Sequence, residues 1–269
     1  MKIIILITSV LFFNTVFSQK MDTIYTHNKK IACNIKEVAD ENVKYSYPNE
    51  DILISINKNR IVKIIFSSGR EEIFAESMSF KKVSGWEDWE NVLTTNVDDE
   101  VDGLFKLGDV SSKVKAGSTI SNLNKVKNKA LRKIKIRAAM IGANVVYLSS
   151  DHTEGARYNA WTGGSNTAEV ILTGVAYSNR IVNIEDFKKM INEKSIYKLS
   201  QIIQMPFNKK TPTIKKGNDV EIDMSNYIID GLFINVTYDN EQFKIINIDN
   251  NQIILMKEGK RRTYNYILK

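Results

Sequence analysis

"KVKNKALRKIKIRAAMIGANVV", Lys125–Val146, decides how this chain is read: it carries seven Lys or Arg and no acid on a helical period. Apolar residues recur at Ile120, Leu123, Val126, Ala130, Ile134, Ala138 and Ile141. At about 100° per residue they fall within an arc of about 120°, the stripe of a helix laid on a core. Gly117-Ser118-Thr119 offers an entry with Ser118 or Thr119 as N-cap, and Gly142 a left-handed exit. Lys125, Lys129, Arg132, Lys133 and Lys135 lie off the apolar arc and are expected on the solvent face. Lys127 and Arg137 lie within it or at its edge and must carry their charge out to water.

Outward from that helix, Asn144 to Ser149 reads as a short strand. The polar stretch "SSDHTEGARYNAWTGGSN" (149–166) reads as a long loop, and "AEVILTGVAYS" (168–178) as a second strand. From Asp22 to Phe80, period-two hydrophobicity is broken by polar turns at Asp40-Glu41-Asn42 and Ser68-Gly69-Arg70. The same pattern returns from Ser195 to Lys269. Between them, Asn183–Lys194 reads as a linking helix with Ile184, Phe187, Met190 and Ile191 on one side. The expected fold class is α+β: a small sheet with one long covering helix, flanked by two small antiparallel β modules. The expected segments are a signal peptide at 1–18, an N-terminal β module at 19–82, a central α+β domain at 83–182, the linking helix at 183–194, and a C-terminal β module at 195–269.

The leader is "MKIIILITSVLFFNTVFSQK": Lys2, then an eleven-residue apolar run Ile3 to Phe13, then Val16-Phe17-Ser18 before Gln19. That is the order of a secretory signal peptide, with cleavage between Ser18 and Gln19. The run is shorter than the roughly 20 residues that cross a bilayer. No other stretch approaches that length, so no transmembrane segment is expected once the leader is removed. The expected location is outside the cytoplasm: periplasmic, cell-envelope associated or secreted.

Cleavage would leave 251 of the 269 residues and take Lys2 from a formal charge of +7. Charge is segregated. Val110 to Ser150 has nine bases and no acid, whereas Val83 to Phe105 has seven acids and no base. The two blocks are expected to neutralise one another in part. With the single Cys33, no internal disulfide and no cysteine-cluster metal site can form. Cys33 alternates with Ile31 and Ile35 and reads as a small buried hydrophobe.

Candidate chemistry is sparse. His27 sits in a turn-like stretch. His152 lies between Asp151 and Glu154, but no nucleophile elbow or His-Glu-x-x-His helix accompanies it. "WTGGSN" (161–166) leads into a strand, so it is not a phosphate loop feeding a helix N-terminus. It reads as a hairpin tip with Trp161 as a contact residue. Trp86 and Trp89 read as a pair seating a linker against a neighbouring module. No cofactor and no metal-ligand set is expected.

"LGDVSSKVKAG" (107–117), the helix with Ala138-Ala139, the junction Gly142-Ala143-Asn144-Val145-Val146 and the strand Gly174-Val175-Ala176-Tyr177 together resemble a bacterial envelope fold. The similarity is to the RcsF-type domain of envelope-stress lipoproteins and to the YbjQ-type family, named for heavy-metal binding. It covers roughly 75 residues. RcsF-type domains are lipidated and disulfide-bonded, whereas this chain has no lipobox and one cysteine, so no disulfide and no metal residue carries over. "DTIYTHNKKIACNIKEVADENVKYSY" (22–47) with "IVKIIFSSGREEIF" (61–74) resembles a β module of exported Bacteroidota proteins.

The function expected from these readings is non-enzymatic: an exported envelope protein with a binding, scaffold or sensor role. It would act through Lys125, Lys129, Arg132, Lys133 and Lys135 and through Trp161. Its partner would be an anionic envelope component or an acidic protein. Nucleic acid is not expected, because no aromatic platform is interleaved with the bases. Two alternatives stand beside it: a hydrolytic or metal-dependent enzyme using the Asp151–Gly164 loop, and a metal or anion sensor.

Overall fold

A computed structural model describes residues 21–26, 29–74, 80–118, 122–159, 164–249 and 252–269, with 157–159 and 164–166 described by backbone alone. Ser18, Gln19, His27, Thr119, Ile120 and Trp161 therefore lie outside the described residues. The structure corrects the expected α+β class. About half of the chain (51%) is strand, arranged in several sheets, and the largest sheet has eight strands.

The first sheet has six antiparallel strands: β1 (Asp22–Thr26), β2 (Lys30–Val38), β3 (Asn42–Ser46), β4 (Ile54–Asn57), β5 (Ile61–Ile65) and β6 (Glu71–Ile73). Their order is β4-β3-β2-β1-β5-β6. Alternation puts one face of these strands inward, where Ile24, Ile31, Cys33, Val43, Tyr45, Ile56, Ile61 and Ile64 form a core. Both predicted turns are present. Ala39 N–H donates to the Asn42 carbonyl, and Gly69 closes its turn at φ +87°, a conformation that favours glycine.

The central sheet combines β7 (Leu93–Thr95), β8 (Phe105–Lys115), β9 (Val145–Glu154) and β12 (Glu169–Ser178) in the order β7-β9-β12-β8. Only β7 and β9 run parallel. The helix α1 (Leu123–Met140) covers it. Its N-cap is Asn122, whose side chain accepts from the Asn124 N–H, not Ser118 or Thr119. It ends as Gly142 predicts: at φ +84°, Gly142 N–H donates to the Ala139 carbonyl and Ala143 N–H to that of Ala138. This doubly bonded exit satisfies two otherwise orphaned carbonyls. The stretch 149–166 is not a long loop. β9 runs on through Glu154 against β12, and a small hairpin, β10 (Arg157–Asn159) with β11 (Gly164–Asn166), fills the connection.

Along β12 burial alternates strictly, and the inward positions Val170, Leu172, Gly174 and Ala176 meet small helix residues. Ala130, Ala138 and Ala139 let α1 approach closely enough for the Ser112 hydroxyl, on β8, to donate to the Ala130 carbonyl at 2.9 Å.

A second helix, α2 (Ile184–Glu193), precedes β13 (Ile196–Pro206), β14 (Thr213–Lys216), β15 (Glu221–Asp223), β16 (Tyr227–Asp230), β17 (Phe233–Tyr238), β18 (Glu241–Ile248), β19 (Ile253–Gly259) and β20 (Arg262–Leu268). The strand order is β14-β13-β20-β19-β18-β17-β16, with β15 also on β13. Asp239 and Asn240 both take positive φ, the two-residue turn that matches the twist of a hairpin. α2 does more than link. Phe187 is fully buried in the core of this sheet, with Ile184, Met190 and Ile191 packed around it.

Candidate functional site

α1 is buried on two sides. Val126, Ala130, Ile134 and Ala138 face the central sheet. Ile136 and Met140 face the C-terminal sheet, where they join Ile203, Met205, Ile254 and Ile267, with Trp86 and Trp89 alongside. The side chain of Asn265, on β20, donates to the Met140 carbonyl at 2.8 Å. A helix held between two sheets cannot display a whole face of lysines, and the five predicted cations separate accordingly.

Lys133 is not on the solvent face; it is 2% exposed. Its Nζ donates to the Lys113 carbonyl at 3.0 Å, and Arg137, one turn on, donates Nη1 to the Ser111 carbonyl at 2.9 Å. β8 is the edge strand of its sheet, so these two cations satisfy carbonyls that no neighbouring strand takes. Phe207 lies across both, 5.6 Å from Lys133 Nζ and 4.5 Å from Arg137 Cζ. Burial, then Arg137 and Lys210, push the Lys133 amine down to about 8. Arg132 is exposed and stacks over Trp89 at 5.0 Å. Lys135 is half-buried; burial lowers its pKa and nearby Glu90 opposes the shift.

Lys125 and Lys129 remain exposed, and they do not stand alone. With Lys115 from the end of β8 and Lys210 from the turn after β13, they line a cleft of about 370 Å³ closed by Gly117, Ser118 and Asn122. Lys115 is paired with Glu169 at 2.9 Å. Among the described residues, Lys125, Lys129 and Lys210 have no carboxylate within ion-pair reach. The first turn of α1 contains no acid. The cleft offers several charge-assisted donors, three of them without a carboxylate partner among the described residues, and this suits an anion. Lys115 and Lys210 were not singled out in the sequence. The only signal for Lys210 was the pair Lys209-Lys210 in a short polar turn.

The acidic block reaches α1 through Glu90, whose charge acts on Lys135. Among the described residues no ion pair joins Val83–Phe105 to the bases of α1, and Lys127 instead pairs with Asp151 at 2.7 Å. That pairing, and Thr153, hold the Asp151 carboxyl below its usual range. Of the Asp151–Gly164 stretch, the described side chains are Asp151 to Ala156. Asp151 and His152 are neighbours on β9, so their side chains leave opposite faces, and among the described residues His152 Nε2 meets Glu154 at 3.1 Å. Among the described residues, no group of three or more His, Cys, Asp or Glu converges. Among them, too, no helix is long and apolar enough to cross a membrane.

No protein-family model, curated protein or solved structure matches this chain, so no relative lends the cleft a ligand.

Proposed function

We propose that this is an exported, non-enzymatic cell-envelope protein that holds a polyanionic envelope component in the lysine cleft at the start of α1. The observation that carries the reading is the convergence of Lys115, Lys125, Lys129 and Lys210 from three separate elements on one cavity, three of the four without an ion-pair partner among the described residues. Cations brought together without counter-ions repel one another, and an anionic ligand relieves that cost. The export half of the proposal rests on the leader ending at Ser18, and N-terminal sequencing of the released protein is expected to begin at Gln19. A scaffold or sensor role fits the resemblance of the central segment to RcsF-type and YbjQ-type domains.

The binding half is tested with the chain from Gln19 onward and a polyphosphate of defined length as probe. Affinity is expected to fall at least tenfold between 50 and 300 mM salt, as screening predicts. A Lys125→Gln, Lys129→Gln, Lys210→Gln variant is expected to lose at least tenfold in low salt, and Lys188→Gln with Lys189→Gln to lose nothing. Equal binding by the cleft variant and the parent protein would remove the proposal.

A further inference from the structure

A second cleft lies where the N-terminal sheet, the start of β8 and α2 meet. It encloses about 410 Å³, within the range of small-molecule sites. Its walls are mixed: Ile31, Ile54 and Ile56 on one side and Phe105, Val182 and Ile184 on the other give an apolar stretch, with Thr26, Ser55, Asn179 and Asn183 between them. Leu232, 51% exposed, stands at the rim.

Charge is distributed unevenly over this cavity. Lys29 and Glu185 both line the cleft and are exposed. Arg60 is half-buried in the wall. Its guanidinium lies over the Phe105 ring at 4.4 Å, and among the described residues it makes no ion pair and no hydrogen bond. Burial lowers its pKa while the neighbouring Tyr45 hydroxyl opposes the shift. The guanidinium stays charged throughout the accessible pH range. Tyr45 is buried and its pKa is pushed up to about 12, chiefly by burial, so the phenol stays protonated beside it.

A guanidinium with a phenol beside it, next to the apolar stretch of a cavity wall, suits one anionic head on an apolar body. Arg is the side chain suited to such a head, because its planar fork meets a carboxylate with two parallel hydrogen bonds. We infer that this cleft binds a small amphipathic carboxylate, its head on Arg60 and its apolar body along Ile31, Ile54, Ile56 and Ile184. The site is separate from the lysine cleft and does not depend on it.

The test uses the chain from Gln19, an environment-sensitive probe, anilinonaphthalene sulfonate, and two competitors with the same tail, decanoate and decanol. Decanoate is expected to displace the probe saturably at one equivalent, and decanol at least tenfold more weakly. Arg60→Gln is expected to weaken decanoate about tenfold and leave decanol unchanged. Ile54→Trp, which fills the apolar wall without touching the cation, is expected to weaken both. Polyphosphate is expected not to displace decanoate, which separates this site from the cationic cleft. Equal affinity for decanoate and decanol would overturn the inference. So would an unchanged decanoate affinity in both folded variants, or no saturable displacement at all.

Discussion

Lys133 shows how far a single side chain can depart from a helical wheel. It lies about 20° outside the arc drawn through Val126 and Ala130, which at 100° per residue looks solvent-facing. What buries it is Phe207 and the C-terminal sheet, neither of which a local pattern reveals. Its charge has a cost that pH exposes. Below about pH 8 the amine is charged in both the folded and unfolded states, and the burial penalty is complete. Between that value and the ordinary lysine range near 10.4, the unfolded chain binds the proton that the folded chain has released, so stability rises with pH. Lys133→Met is therefore expected to be more stable than the parent by about 1–2 kcal/mol at pH 7. That advantage should vanish by about pH 10, where the neutral amine keeps its hydrogen bond to Lys113. Urea unfolding at the two pH values measures it. A variant less stable at pH 7, with no pH dependence, would refute the account. Cys33 is the opposite case: alternation with Ile31 and Ile35 marked it as buried, and it is fully so, its thiol pushed up to about 11 by that burial.

At the scale of elements, legibility follows the range of the forces involved. The strict alternation of Val170, Leu172 and Ala176 and the left-handed Gly142 are local signals, and β12 and the exit of α1 lie where those signals put them. The polar stretch after Ser150 misled because a strand exposed on its outer side carries little hydrophobic alternation to read. α1 misled more subtly. Seven apolar residues mark one arc, but Ile136 and Met140 project about 100–140° from its centre and define a second one. Two apolar faces on one helix are the signature of a layer between sheets, and that signature was present in the letters. Gly174 carries an element-scale prediction. A Cβ there would overlap the Tyr147 carbonyl oxygen on β9, beside a register shift between Thr173 and Gly174. Gly174→Ala is expected to cost about 2–4 kcal/mol, because backbone atoms must move to admit it. Thermal unfolding would show this as a clear fall in midpoint, and a loss below about 0.5 kcal/mol would contradict the packing described.

For the molecule as a whole, the junction between α1 and the C-terminal sheet joins parts of the chain 125 residues apart through Asn265 and Met140. No sequence pattern announces such a bond, and the candidate cleft inherits the difficulty: Lys210 reaches it only because the sheet is docked on the helix. Asn265→Leu keeps the volume but leaves the Met140 carbonyl without that donor, at a cost of about 1–3 kcal/mol. In the parent protein, fluorescence from Trp86 and Trp89 at the junction and far-ultraviolet circular dichroism are expected to report one coincident unfolding transition. In the variant the two probes should separate. Coincident curves with unchanged stability would show that the bond does not couple the sheets.

The same sandwiched helix constrains the order in which the polypeptide can mature. Synthesis proceeds from the amino end, so α1 and its own sheet are complete while Ile203, Ile254 and Ile267 are still unmade. Until those residues emerge, Ile136 and Met140 present a greasy, unsheathed strip to whatever is nearby. A nascent chain halted near residue 195 is thus a natural client for a holding chaperone, and the full-length product, with that strip sealed, is not.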